Sequence, residues 1–181
     1  MFLKSGLTCF EPLARRVAIR IQGAPGYRRL AKRLKPDFTI SEADADERAV
    51  IFKGYEPAVA DCITVYVARR QQAIVGSVHL VRHPPQEEFP LAGQWFYSLE
   101  VWPLWRRMGL GEALLRKVLD QAKAENAPAL FCLVFADAPA ALKLYHKLGF
   151  KRVVVPGFEE QLEDEQRLSG RRRVVLCKSL D

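Results

Sequence analysis

The sequence predicts an α/β (α+β) fold built on a single mixed sheet, mostly antiparallel, with a central parallel strand pair flanked by helices. Two observations support this fold class. An apolar run at residues 95–101 passes through a glycine turn into an amphipathic helix, and a second apolar run follows at 129–135. Such a strand–helix–strand unit makes a right-handed crossover, which places its two strands side by side and parallel. Two β-branched runs, at 64–68 and 73–81, predict an antiparallel hairpin.

The length of 181 residues and the hydrophobic content of 49% fit one globular domain with an extension. No run comes near the roughly 18 apolar residues that a membrane-spanning helix needs. We find no signal-peptide pattern, so we expect a cytoplasmic protein without a membrane span. The four cysteines are scattered and show no metal-ligand spacing, and we expect reduced core residues and no metal. They are Cys9, Cys62, Cys132 and Cys177.

Residues 1–36 hold nine Lys and Arg but a single acidic residue, Glu11, and so carry a charge of +8, whereas the rest of the chain carries −1. We therefore divide the chain into a basic N-terminal extension at 1–36 and a folded domain at 37–181. Residues 27–35 have the pattern of a basic amphipathic helix. Packing of its apolar face on the domain is the simplest interpretation. Contact with nucleic acid, an acidic partner or a membrane surface, and an organelle transit peptide, stay open.

The folded domain begins with a short strand at residues 38–40. Ser41 is expected to cap a short helix that reaches about residue 52, with Asp44 supplying negative charge to its first turn. The hairpin follows, with residues 69–72 as its polar connection. Prolines within 83–93 then predict an irregular loop, because proline cannot donate to a strand ladder.

The strand at 95–101 leads into the turn Arg106-x-x-Gly109-x-Gly111, which is suited to binding an anion. Its glycines allow positive φ and close approach of a ligand. The following helix directs its free N–H groups and the positive end of its dipole to the same point. Arg106 and Arg107 add positive charge beside it. The expected ligand is a phosphate or pyrophosphate.

The helix after this turn carries an apolar stripe and ends near residue 126. The strand at 129–135 is apolar without strict alternation, as expected of a strand that is covered on both faces. A dinucleotide-binding domain is a weaker interpretation, because Leu114 stands at the third glycine position of G-x-G-x-x-G.

The end of the chain predicts a second helix and two strands. Asp137 is expected to cap this helix, which has a proline in its first turn and ends at Gly149. The strands lie at 152–155 and 173–176. An acidic polar segment, with carboxylates within 159–165, joins them.

Two stretches of the domain resemble the GNAT superfamily of acyl-CoA-dependent N-acetyltransferases. The family's strand, proline and Q/R-x-x-G-x-G/A turn are matched by LEVWPLWRRMGLGEALL at residues 99–115. Its A-x-x-L-Y-x-K-x-G-F helix and following strand are matched by ADAPAALKLYHKLGFKRV at 136–153. Both stretches occur in the right order and in the predicted structural contexts, which makes the resemblance specific. It covers roughly residues 37–181.

The resemblance implies transfer of an acetyl group from acetyl-CoA to a primary amine by direct attack in a ternary complex. The two parallel strands would splay apart around the pantetheine arm of the donor, which pairs with Leu99 and Val101 main chain like an added strand. The pyrophosphate would lie on the turn and the first helical residues, with Arg106 adding charge or fixing the turn. The residues implied for this cofactor-binding role are Arg106, Arg107, Gly109, Leu110, Gly111 and Glu112.

The resemblance also implies a catalytic tyrosine. Tyr145 would lie beside the thioester sulfur, contact the cofactor and protonate the departing thiolate; the alternative is an aromatic residue that fills its helix face. Glu100, whose side chain points opposite to those of Leu99 and Val101, is the first candidate for the catalytic base. Glu87, Glu88 and a water chain are alternatives, and we expect no role for the three histidines, His79, His83 and His146.

The chain departs from the family pattern at two positions. Ala138 stands where many members carry an asparagine that binds the cofactor, so that contact is absent or supplied by Asp137. Leu133 stands where enzymes that acetylate a ribosomal-protein N-terminus carry a glutamate, which argues against that subgroup. We expect the acceptor to be a cationic small-molecule or peptide amine, because the acidic segment at 159–165 joins the strands that border the family's acceptor cleft.

Two other functions stay open. One is a catalytically idle acyl-CoA-binding regulatory module, which the replaced asparagine and the unclear base favour. The other is a nucleic-acid or assembly protein that acts through its basic extension. A homodimer is also left open.

Overall fold

The computed structural model describes residues 37–52, 60–85 and 92–181. The basic extension at 1–36, with Cys9, and the loop residues Glu87 and Glu88 lie outside these ranges. In chain order the elements are β1 (Thr39–Glu42), α1 (Ala45–Ile51), β2 (Ile63–Arg70), β3 (Ala73–His83), β4 (Gly93–Val101), α2 (Leu110–Ala124), β5 (Ala129–Phe135), α3 (Pro139–Lys147), β6 (Lys151–Val153), α4 (Glu159–Ser169) and β7 (Arg173–Ser179). Short 3-10 helices occupy Ala60–Cys62 and Pro103–Trp105.

Seven strands form one mixed sheet in the order β1-β2-β3-β4-β5-β7-β6. β4 and β5 run parallel, whereas the other five pairings of described strands are antiparallel. The predicted fold class is therefore confirmed. The predicted hairpin is also confirmed, although Arg69 and Arg70 belong to β2 and the turn itself is Gln71 and Gln72.

Apolar residues alternate along the strands and cover both faces of the sheet. Tyr66 of β2 and Phe96 of β4 pack with α2 and α3 in the largest core cluster, and we call this side the α2/α3 face. Their neighbours Val65 and Trp95 point the other way and pack near α1 and α4, and we call this side the α1/α4 face. The predicted apolar stripe of α2 is buried on the first of these faces; it comprises Leu114, Leu115, Val118, Leu119 and Ala122.

Two predicted helix caps are wrong. α1 is capped by Asp44, whose carboxylate accepts from the Glu47 N–H at 2.9 Å while the Glu47 side chain accepts from the Asp44 N–H at 3.0 Å; Ser41 belongs to β1. Asp137 does not cap α3, because its carboxylate binds Arg171 at 2.6 Å. The N-cap position is Ala138, which has no side-chain hydrogen bond to offer.

The acidic segment between the last two strands, to which the sequence analysis assigned no helix or strand, is helical. It forms α4, an 11-residue helix. Leu162 on this helix and Phe158 just before it are buried against Trp95 and Val175, and this contact fixes α4 across the α1/α4 face. β6 is shorter than predicted and β7 is longer. α3 ends as predicted, with Gly149 at a φ of 88°.

Candidate functional site

The parallel strands β4 and β5 part to form a fork. Three register pairs join them, and the last is Phe96 with Cys132. β4 nevertheless continues to Val101 and β5 to Phe135. The predicted splayed pair is therefore present, and a gap separates the C-terminal ends of the two strands.

A β-bulge in β4 lies where the fork opens. Between the register pairs His79–Tyr97 and Ser77–Glu100, β3 contributes one residue and β4 contributes two. Ser98, one of these two, has a φ of 50°, in the left-handed region that a serine seldom adopts. An extra residue of this kind bends the strand and ends its regular pairing.

The bulge reverses the alternation of side chains along β4. Before it, Trp95 and Tyr97 pack on the α1/α4 face. After it, Leu99 and Val101 pack on the α2/α3 face, although strict alternation would have placed all four on one side. Glu100 therefore faces the α1/α4 side, opposite to Leu99 and Val101, as the sequence predicted.

Main-chain groups at the end of β4 point into the fork. The Trp102 N–H donates to the Val75 carbonyl of β3 at 3.0 Å. The two-residue alternation of antiparallel pairing then directs the polar groups of Glu100 to β3 as well. Leu99 and Val101 consequently present their N–H and C=O groups on the other side, toward the gap before β5.

Two left-handed residues shape the turn between β4 and α2, namely Arg107 with a φ of 67° and Gly109 with a φ of 88°. A Cβ atom at position 109 would meet nothing within 4 Å, so glycine is needed there for its backbone conformation rather than for space. Arg106 donates its Nε to the Val101 carbonyl at 2.8 Å. This contact ties the turn to the end of β4.

The N-terminus of α2 has no cap. Its N-cap residue, Gly109, has no side chain that could accept from the first turn. Within the described parts of the chain, the backbone N–H groups of residues 107–112 donate no hydrogen bond, and the first helical bond is from Ala113 to the Gly109 carbonyl at 3.0 Å. Unsatisfied N–H groups at the positive end of a helix dipole attract an anion.

Cationic side chains surround this turn. The Glu112 carboxylate would repel a phosphate, but it binds Lys147 of α3 at 2.5 Å and Arg116 at 2.9 Å. The hydrogen bond from Lys147, followed by that from Arg116, lowers the pKa of Glu112. Arg107 is exposed beside them. Two cations thus offset one carboxylate, and the first turn of α2 keeps a net positive charge.

Tyr145 lies over the point where the fork opens. Its ring packs edge-on against Phe96, with centroids 5.2 Å apart, and tilts against Phe150 at 6.1 Å. Because Phe96 and Cys132 form the last pair of β4 and β5, Tyr145 is placed at the vertex on the α2/α3 face. Burial raises the pKa of Tyr145 far above its ordinary value, with a smaller contribution from Cys132. Its hydroxyl therefore carries a proton at neutral pH.

The opposite face of the vertex carries two residues that sequence reasoning did not select, Trp95 and Tyr97. Their ring planes stack with a centroid distance of 6.2 Å. The Tyr97 hydroxyl lies 3.2 Å from Nε2 of His83, and burial raises the pKa of Tyr97 and lowers that of His83. The aromatic residues of β4 were visible in the sequence, but no charged residue or glycine pattern beside them indicated a functional site.

His79 lies on the same face and is largely, but not fully, covered. It lies 5.2 Å from the ring of Phe52, and its Nε2 has no hydrogen-bond partner. Burial, with a smaller contribution from Arg48, lowers the pKa of His79 to about 4. His79 is thus a neutral side chain at physiological pH.

Three of the five acidic residues of α4 are in ion pairs. Arg167 binds Asp164 at 2.7 Å and Glu163 at 3.6 Å, and Arg173 binds Glu165 at 3.2 Å. These ion pairs offset part of the negative charge from which a cationic acceptor was expected, and Glu159 and Glu160 add two further carboxylates to the first turn of α4.

None of the helices in the described residues combines the length and the apolar composition that crossing a bilayer requires. In those same ranges, no three His, Cys, Asp or Glu side chains are grouped as a metal site would need. Cys62, Cys132 and Cys177 are free thiols.

The profile of the acetyltransferase (GNAT) family matches residues 27–150 of the chain. The chain belongs to the GNAT family. The resemblance found in the two sequence stretches is thereby confirmed.

The chain is similar to ribosomal protein bS18-alanine N-acetyltransferase of Escherichia coli K12, with 34% identity over 59 residues. This match covers 33% of the chain and 40% of the relative, so the chain matches less than half of that relative's length. The crystal structure of the Escherichia coli ribosomal-protein-S18-alanine N-acetyltransferase superposes with a TM-score of 0.58 at 16% identity, over 80% of this chain and 94% of the other.

The crystal structure of a GNAT family acetyltransferase from Elizabethkingia anophelis with acetyl-CoA bound superposes with a TM-score of 0.56 at 18% identity. It covers 79% of this chain and 98% of the other. These superpositions establish that the described sheet and helices have the fold of the family.

Proposed function

We propose that this GNAT protein is an N-acetyltransferase that uses acetyl-CoA as donor and a primary amine of a small molecule or peptide as acceptor. The observation that carries the proposal is the continuity of the fork with the uncapped turn. The main-chain groups of Leu99 and the N–H of Val101 face the gap and lead to the free N–H groups of residues 107–112, while the Val101 carbonyl accepts from Arg106. These main-chain groups form one continuous strip, from the fork to the first turn of α2. A ligand with a phosphate and a long amide-bearing arm matches both parts, because the phosphate can bind at the turn and the arm can pair in the fork.

The donor side of the site follows from this match. The pyrophosphate would lie on the backbone amides of the turn and first helical residues, and the pantetheine amides would pair with Leu99 and Val101. Arg106 holds the turn through the Val101 carbonyl, so its contribution to binding is positional. The backbone groups assigned to the pyrophosphate belong to Arg107, Gly109, Leu110, Gly111 and Glu112.

The bound donor supplies a thioester carbon that an amine can attack. Tyr145 is placed at the vertex with a protonated hydroxyl, and we assign it to donate a hydrogen bond and then the proton to the leaving thiolate. Glu100 faces the other side of β4, from which an acceptor can approach without displacing the donor. We assign it to take the proton that the ammonium form of the acceptor must lose before attack.

The partners and the location of the protein are further proposals. We infer a cytoplasmic protein, in keeping with the expectation from its sequence. The basic extension at 1–36 is proposed to pack on the domain rather than to recruit a nucleic acid, and a homodimer is a further proposal. Replacing Arg28 and Arg29 by glutamate in the full chain tests the extension, because a packing role predicts unchanged turnover and no loss of nucleic-acid affinity.

Calorimetric titration with CoA, together with thiol release over a panel of amines, tests the proposed function. The expected results are micromolar CoA binding and amine-dependent thiol release. Binding without release for any amine would instead support the catalytically idle module, and absence of binding would contradict the proposed donor site. Lys123→Ala offers a control, because it removes an exposed cation from the last turn of α2, away from the free N–H groups and from Glu112.

A further inference from the structure

Two arginines lie over the last residue of β5, on the α1/α4 face of the sheet. The guanidinium carbon of Arg171 is 3.7 Å from the centroid of the Phe135 ring, and that of Arg173 is 4.7 Å from it. The side of the sheet follows from the alternation of side chains, because Phe131 and Leu133 of the same strand pack on the α1/α4 face. We call Phe135, Arg171 and Arg173 the arginine cluster.

The arginine cluster lies on the β5 arm of the fork. Phe135 is three residues beyond Cys132, the last residue of β5 that pairs with β4. At about 3.3 Å per residue, the cluster is about 10 Å from the vertex. Glu100 lies on the other arm and faces the same side of the sheet, opposite to Leu99 and Val101. This side of the fork therefore has a carboxylate on one arm and two guanidinium groups on the other.

Both guanidinium groups keep donors for a further anion. Arg171 donates from Nε and from one terminal nitrogen to the Asp137 carboxylate, at 3.1 and 2.6 Å. Nε of Arg173 lies 3.2 Å from the Glu165 carboxylate. The other terminal nitrogens of the two arginines make no hydrogen bond within the described part of the chain, and their side chains are 48% and 33% exposed. A carboxylate can therefore reach these donors from solvent.

The surroundings of the arginine cluster keep a positive charge after the ion pairs are counted. Residues 171–173 carry three positive charges, and the carboxylates of Asp137 and Glu165 carry two negative ones. The difference is a net charge of +1. Guanidinium groups also bind carboxylates with directed, charge-assisted hydrogen bonds. The cluster thus suits an anionic group, whereas the ammonium group of an acceptor suits the arm that carries Glu100.

We propose that the acceptor is a short peptide whose N-terminal amine reacts at the vertex and whose carboxylate binds Arg171 and Arg173. This inference rests on the proposed acetyltransferase function and specifies its substrate class. A peptide of three extended residues spans about 10 Å, which matches the distance from the vertex to the arginine cluster. A single amino acid is too short to reach both.

The carboxylate of the peptide positions the substrate and takes no part in the chemical step. The amine loses a proton to Glu100, and its nitrogen forms the new amide bond with the thioester carbon. The C–S bond breaks, and the leaving thiolate takes a proton from Tyr145. A diamine of similar length would instead place its second ammonium group beside two guanidinium groups, so we expect discrimination against diamines.

Triglycine and triglycinamide are the acceptors for the first test, because they differ only in the terminal carboxylate. Thiol release by the full-length protein is measured with each peptide at saturating acetyl-CoA. The kcat/KM for triglycine should exceed that for triglycinamide by at least about tenfold, as expected for hydrogen bonds to a charged group.

Three variants show whether the arginine cluster causes this preference. Arg171→Met combined with Arg173→Met removes both cations and keeps apolar side chains over Phe135, and it should lower kcat/KM for triglycine to that for triglycinamide. Arg173→Glu should reverse the preference, which a merely structural role of Arg173 would not do. Arg152→Met is the matched control, because it removes an exposed arginine from β6, which β7 separates from β5. The control should keep the full preference for triglycine.

Equal kcat/KM values for the two peptides, or a preference for triglycine that survives the double substitution, would overturn the proposal. Propylamine serves as an acceptor that has no carboxylate. If neither propylamine nor the peptides give thiol release, the proposed acetyltransferase function fails and the peptide acceptor fails with it. If propylamine reacts and triglycine has no advantage over triglycinamide, the substrate class alone is wrong.

A second test needs no turnover. The side-chain Nε–H resonances of Arg171 and Arg173 can be assigned by NMR with the single Arg→Met variants. Titration of the CoA-bound protein with triglycine should shift both resonances, and triglycinamide at the same concentration should leave them in place. Unmoved resonances at saturating triglycine would contradict the assigned carboxylate site.

Discussion

Replacing Tyr145 by phenylalanine removes one oxygen atom and leaves the packing of the ring. The contacts with Phe96 at 5.2 Å and Phe150 at 6.1 Å involve the ring alone, so unfolding free energy should change by less than about 1 kcal/mol. A positioned acid contributes about 10²- to 10⁴-fold to a rate. Burial raises the pKa of Tyr145 and makes it a weaker proton donor, so we expect the lower end, a fall in kcat of about 10²-fold, or about 2.7 kcal/mol of barrier.

The assay is thiol release at saturating acetyl-CoA, with CoA affinity measured separately by calorimetry. Tyr66→Phe is the matched control, because Tyr66 is a tyrosine buried at 3% exposure in the same core cluster, away from the vertex. We expect full turnover from the control, and unchanged CoA affinity from both variants. If Tyr145→Phe retains more than half of the normal kcat, Tyr145 is a packing residue and the assigned acid is wrong.

Three further predictions concern the turn, the sheet and a buried histidine. Gly109→Ala should lose about 1–2 kcal/mol of stability in urea unfolding, because a φ of 88° strains alanine even though its Cβ would meet no other atom. Gly111→Ala, whose Cβ would lie 3.5 Å from Leu144, should leave the stability unchanged or raise it. Gly76→Ala should cost about 1–3 kcal/mol and weaken CoA binding, since its Cβ would lie 2.8 Å from the Glu100 carbonyl oxygen. Burial lowers the pKa of His79 from 6.5 to about 4, so between these pH values the folded state binds fewer protons than the unfolded state. The unfolding free energy should therefore fall by up to about 3 kcal/mol as the pH drops through this range. His79→Leu should flatten this pH dependence between pH 7.5 and 5.

The strands, the turn and α2 could be predicted from sequence because their signals are local. Apolar periodicity marks residues 95–101 and 129–135, and a glycine is the natural residue for the φ of 88° at Gly109. The position of Tyr145 within its helix followed from the spacing of the family motif. These are the parts of the site whose geometry depends on a few neighbouring residues.

The bulge in β4 could not be predicted, because Ser98 is not a residue that favours a φ of 50°. The pairing of β4 with β3 imposes this conformation, and such pairing between separate strands gives no signal in the neighbouring sequence. The prediction that Asp137 caps α3 was wrong for a related reason. Asp137 has the right chemistry for a cap, but Arg171, 34 residues away, takes its carboxylate.

α4 was missed because few of its residues are apolar. Leu162, together with Phe158 before the helix, provides the buried contact with the sheet, and two such residues do not form a recognisable stripe. By contrast, the N-cap residue of α1 could have been predicted from the sequence. Asp44 and Glu47 have the spacing of a capping box, and this spacing favours Asp44 over Ser41 as the N-cap residue.

The central claim is that one strip of main chain, from the fork to the first turn of α2, holds the acyl donor. An amide NMR titration of the full-length protein with CoA tests it most directly. We predict that the largest shifts occur at the N–H groups of Leu99, Val101 and residues 107–112, and that Gly109→Ala reduces them together. Saturable binding with unmoved resonances at these positions would contradict the claim and place the donor elsewhere on the molecule.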